Sequence, residues 1–378
     1  MHGEALICRS VSLKSYGGVD QLTYLTRSVN TPDEFLLEGG ALGPTQVIIN
    51  VRACAVGDID VQVREGKYKF VTQSDAVIGY EIAGVVERVG DQVDERIVKQ
   101  GDNVVGLLPI DSKFGGYSDY CVAESHFFVP MPKRISYEKA AASIMPSLRA
   151  FNALYYVANI KQGEFIFVPR GAHVMNRALI QMALCTQCHV ITTVCSDAEV
   201  NALQDIVMVD RSFSNNSVDD DDSLSPNRPR LKVIDTRNSA GQLKNIVLEE
   251  TGHLGVDCVV LCGDEQEEFI DDCLLMMATH ASLLSPSQNI DLNIARCRHM
   301  FFKGIKFGFL FEQSWVLSTS QQGRFLHMLK EVMNRVGNEV DVPISQTYSL
   351  EKIREAHRRH QLTMNESDVL TGRIVIKL

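Results

Sequence analysis

The sequence has little of what would mark a protein that binds nucleic acid directly or enters a membrane. Lys and Arg number 37 against 47 Asp and Glu, a net charge of −10 at pH 7, so there is no basic excess for a phosphate backbone. No apolar run approaches the roughly 18 residues that a membrane-spanning helix needs. We therefore expect neither direct contact with nucleic acid nor insertion into a membrane.

Features of secreted proteins are also missing. The first residues, MHGEALICRSVSLKSYGG, do not place a basic segment before an apolar one, which is the order in a signal peptide. The ten cysteines lie mostly in apolar segments, as Cys258 and Cys262 do in VDCVVLC, where a thiol packs as a small apolar group. We therefore expect a cytoplasmic chain with reduced thiols.

Two kinds of pattern follow each other along the chain. Up to about residue 145, short β-branched segments broken by glycine predict an antiparallel β domain. Strand and helix patterns then alternate, which predicts a doubly wound parallel sheet. Its strands are predicted at residues 165–168, 189–194, 206–209, 258–262, 282–285 and 306–311. Its helices are predicted at residues 177–184, 240–251 and 267–278.

One polar segment interrupts the second domain, and the end of the chain returns to the first. Residues 211–230, RSFSNNSVDDDDSLSPNRPR, are rich in Ser, Asn, Pro and Asp and predict a solvated acidic loop. A closing strand at 372–376 is suited to complete the first domain. We therefore predict one domain from 1–147 with 312–378, and a second from 148–311.

Several motifs, in this order, resemble the medium-chain dehydrogenase/reductase superfamily and its zinc-free quinone oxidoreductase branch. They are Ala53-Cys54-Ala55-Val56 with Asp60, Arg64, Gly66 and Tyr68, GYEIAGVV at 79–86, GGYSDY at 115–120, Ala141-Ala142, Thr251-Gly252, Gly255-Val256-Asp257, Ala356-His357 and GRIV at 372–375. The resemblance implies an α/β fold: a GroES-like β domain from both chain ends, and a central Rossmann domain with a doubly wound parallel sheet. It also implies a cleft between them for nicotinamide and substrate.

The resemblance allows the zinc sites of related alcohol dehydrogenases to be checked. Catalytic zinc needs thiolate and imidazole ligands, and the corresponding positions here are Gly57, Tyr80 and Met145, which cannot replace them. Cys185 and Cys188 form a single pair, whereas a structural zinc needs four ligands. We expect no zinc site.

The nucleotide loop differs from that of active relatives, which carry Ala-x-Gly-x-x-Gly so that backbone N–H groups can approach the pyrophosphate. The motif positions here are Gly171, His173 and Asn176. Asn tolerates a left-handed backbone, so Asn176 is expected to preserve the turn, whereas the His173 ring stands where phosphate meets bare backbone. Arg170 and Arg177 either pair with phosphate or fill an empty site. We expect NADPH binding to be weak or lost.

The reductase chemistry of this branch needs a hydride from nicotinamide and a proton donor for the substrate oxygen. A Tyr that some relatives place two residues after the equivalent of Asp60 is Gln62 here, and an amide cannot ionise. Tyr68 and Tyr80 remain as candidate catalytic phenols, although packing is the favoured interpretation of each. The residues do not distinguish NAD from NADP, and the resemblance alone implies NADPH.

Two functions stay open. One is an active, zinc-independent NADPH-dependent reductase of quinones or enones. The other, which we favour because losses at the phosphate loop, the Tyr position and the zinc ligands coincide, is a non-catalytic binding subunit. The resemblance implies its partners, since proteins of this kind occur in the FERRY complex, an early-endosomal Rab GTPase effector assembly that brings mRNAs and ribosomes to endosomes. It further implies recruitment from the cytoplasm to early endosomes, and a homodimer through an edge strand within 282–311.

Overall fold

The structure is a computed structural model that describes residues 6–37, 40–68, 75–212, 230–237, 239, 241–263, 267–365 and 371–378. Contacts divide the chain into two units, one formed by Met1–Leu148 with Glu312–Leu378 and the other by Arg149–Phe311. Most of the acidic loop predicted at 211–230 lies outside the described residues.

The described residues contain strands and α-helices in both units. The strands are β1 Leu6–Leu13, β2 Leu22–Val29, β3 Gln46–Val56, β4 Ala76–Val77, β5 Glu81–Val89, β6 Asn103–Leu107, β7 Tyr120–Glu124, β8 Phe128–Pro130, β9 Phe165–Val168, β10 His189–Val194, β11 Leu231–Asp235, β12 Val256–Val260, β13 Met277–Ser285, β14 Lys306–Phe309, β15 Ile344–Ser349 and β16 Arg373–Lys377. The α-helices are α1 Pro32–Leu37, α2 Asp58–Arg64, α3 Tyr137–Phe151, α4 Val174–Cys185, α5 Asp197–Ser212, α6 Leu243–Glu250, α7 Glu267–Met276, α8 Ile294–Lys303, α9 Gln313–Leu317, α10 Gln322–Arg335 and α11 Ile353–Asn365.

The first unit is a GroES-like β domain, as predicted. Its main sheet has the order β15-β16-β3-β5-β6-β8, and β7 also pairs with β3. All of these pairs are antiparallel except β15 with β16. Pairing of Ile374 with Val56 joins β16 to β3, so the last residues of the chain lie in the middle of a sheet that begins near residue 46.

The second unit is a Rossmann fold, as predicted. Its six strands are parallel and have the order β11-β10-β9-β12-β13-β14. Renumbered along the chain this order is 3-2-1-4-5-6, which reverses direction between β9 and β12. Apolar side chains between the sheet and helices α6 to α8, among them Phe167, Val259 and Leu283, form the core on one face.

One predicted strand is wrong. Residues 206–209 were predicted as a strand from their apolar run, but they lie inside α5. Leu203 and Ile206 are both buried and stand three residues apart, which is a helical spacing, and a short apolar run does not by itself distinguish a helix from a strand. The third strand of the sheet is instead β11, which follows the acidic segment.

Candidate functional site

The turn between β9 and α4 lies at the carboxyl end of the parallel sheet, where Rossmann folds bind dinucleotides. Arg170 has a left-handed backbone, with φ of 50°. Its N–H donates to Thr193 Oγ1 at 2.9 Å, and the Gly171 N–H donates to the Thr193 carbonyl at 3.2 Å. A Cβ on Gly171 would overlap Thr192 Oγ1. Position 171 therefore needs glycine because the turn lies directly against β10.

His173 is the N-cap of α4. Its backbone is extended, and its ring Nδ1 accepts a hydrogen bond from the Met175 N–H at 3.4 Å. This N–H belongs to the first turn of the helix, where unsatisfied donors otherwise face an anion. A side chain of the protein itself therefore takes one of the donors that a Rossmann helix offers to phosphate.

Asn176 does not have the left-handed backbone predicted for it. The residue lies within α4 and the left-handed position is Arg170, because the turn is already complete three residues earlier, at His173. The Asn176 side chain is 6% exposed, and its Nδ2 donates to the Pro169 carbonyl at 2.8 Å and to the Arg170 carbonyl at 3.3 Å. Asn176 therefore holds the turn through its side chain.

The same amide reaches the neighbouring strand. Asn176 Nδ2 lies 3.2 Å from Cys262 Sγ, and Cys262 follows β12 in the sequence. The ends of β9 and β12, between which the sheet reverses direction, are thus joined by a side chain at a position that the family motif gives to glycine.

The two arginines of the turn are placed differently. Arg177, in the first turn of α4, is 5% exposed, whereas Arg170 is half-buried at the end of β9. A guanidinium pairs with phosphate most strongly when it can present two N–H groups to it. Of the two arginines, only Arg170 is exposed enough to pair with a phosphate that enters from solvent.

The two candidate phenols lie in the first unit and have different surroundings. Tyr80 is fully buried, its hydroxyl donates to the Ile110 carbonyl at 3.3 Å, and burial raises its pKa well above the ordinary value. Tyr68 is half-buried, and its hydroxyl donates to Gln62 Oε1 at 3.0 Å. Tyr80 is thus committed to packing, while Tyr68 places a phenol beside the amide that replaces the family Tyr.

The positions that correspond to zinc ligands surround a buried ion pair. Glu81, with no exposure, pairs with Arg373, which is 3% exposed, and also accepts the Met145 N–H at 3.0 Å. A Cβ on Gly57 would lie 2.8 Å from Glu81 Oε1. The ion pair leaves no room for a longer side chain at Gly57, so the residues present do not fit the zinc site of the alcohol dehydrogenases. Across the described ranges no group of three or more His, Cys, Asp or Glu side chains could hold a metal ion.

A second carboxyl group belongs to this buried cluster. Asp60 is fully buried, and its Oδ2 accepts the Gly57 N–H at 2.8 Å. Burial raises the pKa of Asp60 to about 8, despite that hydrogen bond. In the sequence, Asp60, Glu81 and Arg373 are recognisable only as parts of motifs. The available signal was a charged residue within an otherwise apolar segment, as in IGYEIAGVV and GRIVIKL.

Comparisons with known proteins agree with this fold. Residues 43–133 match the alcohol dehydrogenase GroES-like domain. Quinone oxidoreductase-like protein 1 of Mus musculus is 28% identical over 312 residues, covering 79% of this chain and 82% of that protein. A crystal structure of a Pseudomonas syringae quinone oxidoreductase has a TM-score of 0.75 at 21% identity, covering 98% of this chain and 100% of the other.

One of the solved structures with this fold contains NADPH. A mycobacterial protein whose structure contains NADPH has a TM-score of 0.72 at 21% identity, with 98% of this chain and 100% of that chain covered. At such identities the likeness concerns the fold.

In the described parts of the chain, no helix is long and apolar enough to cross a membrane.

The chain thus combines a GroES-like unit with a Rossmann unit, and its fold is similar to that of the quinone oxidoreductases found in these comparisons. The resemblance seen in the motifs is confirmed. Over most of its length the chain is similar to quinone oxidoreductase-like protein 1.

Proposed function

We propose that the chain is a quinone oxidoreductase-like protein without catalytic activity, and that it serves as a subunit of the FERRY complex, the early-endosomal Rab effector that links mRNA to endosomes. The turn between β9 and α4 supports the loss of catalysis, because the His173 ring caps the helix that would bind pyrophosphate. The resemblance of the motifs supports the assembly. Contact with RNA and membrane is then indirect, as suits a net charge of −10.

The argument against family-like nucleotide binding rests on two competing demands at the helix terminus. A pyrophosphate needs bare backbone and unsatisfied N–H donors at this place. Here the Met175 N–H already bonds the His173 ring, and an N-cap is worth about 0.5–2 kcal/mol. A dinucleotide could bind only by displacing the His173 ring, and α4 would then lose its cap. The affinity for the dinucleotide is therefore lowered at the place where its pyrophosphate binds.

The test is a titration of purified protein with NADPH, followed by the nucleotide fluorescence. We expect no saturable binding by the wild-type chain, and a gain in the His173→Gly variant, because glycine is an adequate N-cap without a ring. His253→Gly is the matched control, since His253 is exposed and has a left-handed backbone that glycine adopts freely.

Each outcome decides one part of the proposal. Saturable binding by the wild type at micromolar NADPH would overturn the loss of catalysis and restore the alternative, an NADPH-dependent reductase that uses Arg170 and Tyr68. No gain in His173→Gly would show that the loop is not the broken element. Asn176→Gly is the less informative change, because it removes the side-chain bonds to Pro169, Arg170 and Cys262. If the tagged chain is purified from cells and no Rab effector subunits co-purify with it, the proposed assembly is wrong.

We also propose that the chain forms a homodimer through β14. This strand is last in the sheet order, so its outer edge has no strand partner within the described residues. Beside it, α8 exposes Phe301 at 83% and Phe302 at 84%, and β14 exposes Phe309 at 55%. Exposed edges and clustered aromatic side chains are usually covered in soluble proteins. Antiparallel pairing of two β14 edges about a two-fold axis would cover both.

A further inference from the structure

A cavity of about 500 Å³ lies in the Rossmann unit at the end of the sheet opposite the nucleotide turn. It is bordered by the first residues of β9 and β10 and by Arg230, which precedes β11. Its lining includes His189, Arg230, Lys232 and Glu250 together with the apolar side chains of Phe165 and Val190. The cavity therefore combines an apolar wall with a group of ionisable side chains that neither the fold nor the proposed function explains.

His189 is the most informative residue of this cavity. The side chain is only 8% exposed, and its ring stacks on Phe165 with centroids 4.7 Å apart. Within the described ranges its ring nitrogens have no hydrogen-bond partner. The ring nitrogens of His189 are not among the fully buried atoms that lack a partner, so they are accessible from the cavity, and a neutral imidazole offers one donor and one acceptor. The ring is therefore suited to bind a polar group that enters the cavity.

The charges of the lining are not balanced. Lys232 pairs with Glu250, whereas Arg230 is exposed and forms no ion pair within the part of the chain that the structure describes. With His189 neutral, the formal charges of Arg230, Lys232 and Glu250 leave one positive charge in a concave site. On a chain with a net charge of −10, such a local excess attracts an anion.

We propose that this cavity binds a small phosphate monoester, with its phosphate on Arg230 and His189 and its organic part against Phe165 and Val190. The planar guanidinium of Arg230 can present two N–H groups to phosphate oxygens. The volume exceeds what a phosphate ion fills, and the apolar wall suits an attached organic group. Burial and the Arg230 charge lower the pKa of His189. The negative charge of a bound phosphate offsets the positive charge of Arg230 and so raises the pKa of His189. Phosphate binding is therefore coupled to proton uptake by His189.

The test uses the full chain with carbon-13-labelled histidine, titrated with phenyl phosphate and separately with inorganic phosphate. The His189 resonance is assigned from its absence in the His189→Gln variant. We expect a saturable shift of this resonance, a raised His189 pKa in the complex, and phenyl phosphate binding at least about tenfold tighter than inorganic phosphate. Arg230→Gln is expected to weaken both by about tenfold or more. Arg298→Gln, which alters an exposed arginine on α8, is expected to change neither.

Every other result overturns the proposal. An unshifted His189 resonance at millimolar phenyl phosphate excludes the site, and so does an Arg230→Gln variant that binds like the wild type. Equal affinity for the two probes means an adventitious ion only. The site is separate from the nucleotide turn, so His173→Gly is expected to leave phenyl phosphate binding unchanged, whichever way the NADPH titration turns out.

Discussion

At the scale of single residues, the chain contains two fully buried carboxyl groups, Glu81 and Asp60, near one guanidinium, that of Arg373. The charge of Arg373 compensates Glu81, with which it forms an ion pair. For Asp60, burial in the same apolar surroundings raises the pKa by more than the Gly57 N–H and the Arg373 charge lower it, so this carboxyl group stays protonated at neutral pH. Asp60 accordingly has its pKa raised to about 8.

Asp60→Asn is expected to flatten the pH dependence of stability on the alkaline side of neutrality. The folded chain holds this proton more tightly than the unfolded chain, so Asp60 lowers the free energy of unfolding as the pH rises toward 8, by up to about 1.4 kcal/mol per pH unit. His357, whose pKa burial lowers well below 6.5, acts in the opposite sense and only at more acidic pH. Between pH 6.5 and 8 the Asp60 effect therefore remains.

Denaturant unfolding between pH 6.5 and 8.5 measures this effect. The wild type is expected to lose stability across the interval, and Asp60→Asn is expected to lose little and to be the more stable protein at pH 8.5. Asp91→Asn, at an exposed site, serves as the control and should follow the wild type. An Asp60→Asn curve as steep as that of the wild type would show that Asp60 is already ionised at neutral pH.

Gly171→Ala is expected to destabilise the Rossmann unit by about 1–3 kcal/mol, because the new Cβ overlaps Thr192 Oγ1 in a packed core. Adding Thr192→Ala removes the nearest overlapping atom, while Ile180 Cδ1 stays 2.8 Å from the new Cβ, so the change should restore part of the loss. Gly323→Ala is the control, since nothing lies within 4 Å of that Cβ in α10, and alanine favours a helix. Thermal unfolding of the wild type and of these three variants tests this, and a double variant less stable than Gly171→Ala would refute the steric explanation.

At the scale of elements, α8 and β14 expose three large aromatic side chains, those of Phe301, Phe302 and Phe309. Phe301→Ser with Phe302→Ser is expected to convert a dimer to a monomer, because the change removes the aromatic surface beside the pairing edge. Light scattering at micromolar protein measures the mass. Leu254→Ser is the matched control, since Leu254 is 81% exposed but lies in the turn after α6. A wild-type monomer, or a double variant that remains dimeric, would remove this interface.

The secondary-structure predictions were correct where the apolar pattern and the flanking turn residues indicated the same bounds. β9 and β10 were predicted with the bounds they have, because short apolar runs stand between turn residues and neighbouring helical patterns. Residues 206–209 carry the same kind of run, but tertiary packing of Leu203 and Ile206 makes them helical. α8 was not predicted, although its residues have an amphipathic distribution.

The candidate site was predicted in part. Motif spacing located Gly171, His173 and Asn176 at the start of α4, since a Rossmann motif fixes positions along the chain. It could not show that His173 caps the helix or that Asn176 binds two carbonyl groups, because side-chain direction depends on the turn geometry. The ion pair between Glu81 and Arg373 was also invisible, because β5 and β16 are brought together only by their common pairing with β3.

At the scale of the whole chain, the first unit depends on residues from both ends. Truncation after residue 371 is expected to unfold it, because β3 loses its β16 neighbour and Glu81 is left buried without Arg373, a change that costs about 3–5 kcal/mol. Hydrogen exchange should show lost protection in β3 and β5 and retained protection in β9 and β10. Lys377→Ala, an exposed change on β16, should alter neither. Retained protection of β3 in the truncated chain would contradict this role of β16.

The position of β16 also sets an order for events on the ribosome. The Rossmann unit is one continuous stretch, so it can fold as soon as residue 311 has left the exit tunnel. β3 is made early, yet its neighbour β16 is translated some 320 residues later, on the order of 15–60 s at ordinary elongation rates. Throughout that interval the part of β3 that pairs with β16, residues 53–56, lacks its neighbour in the nascent chain. The first domain to be synthesised is thus the last to be completed, and chaperones that act during translation should bind it more than the Rossmann unit.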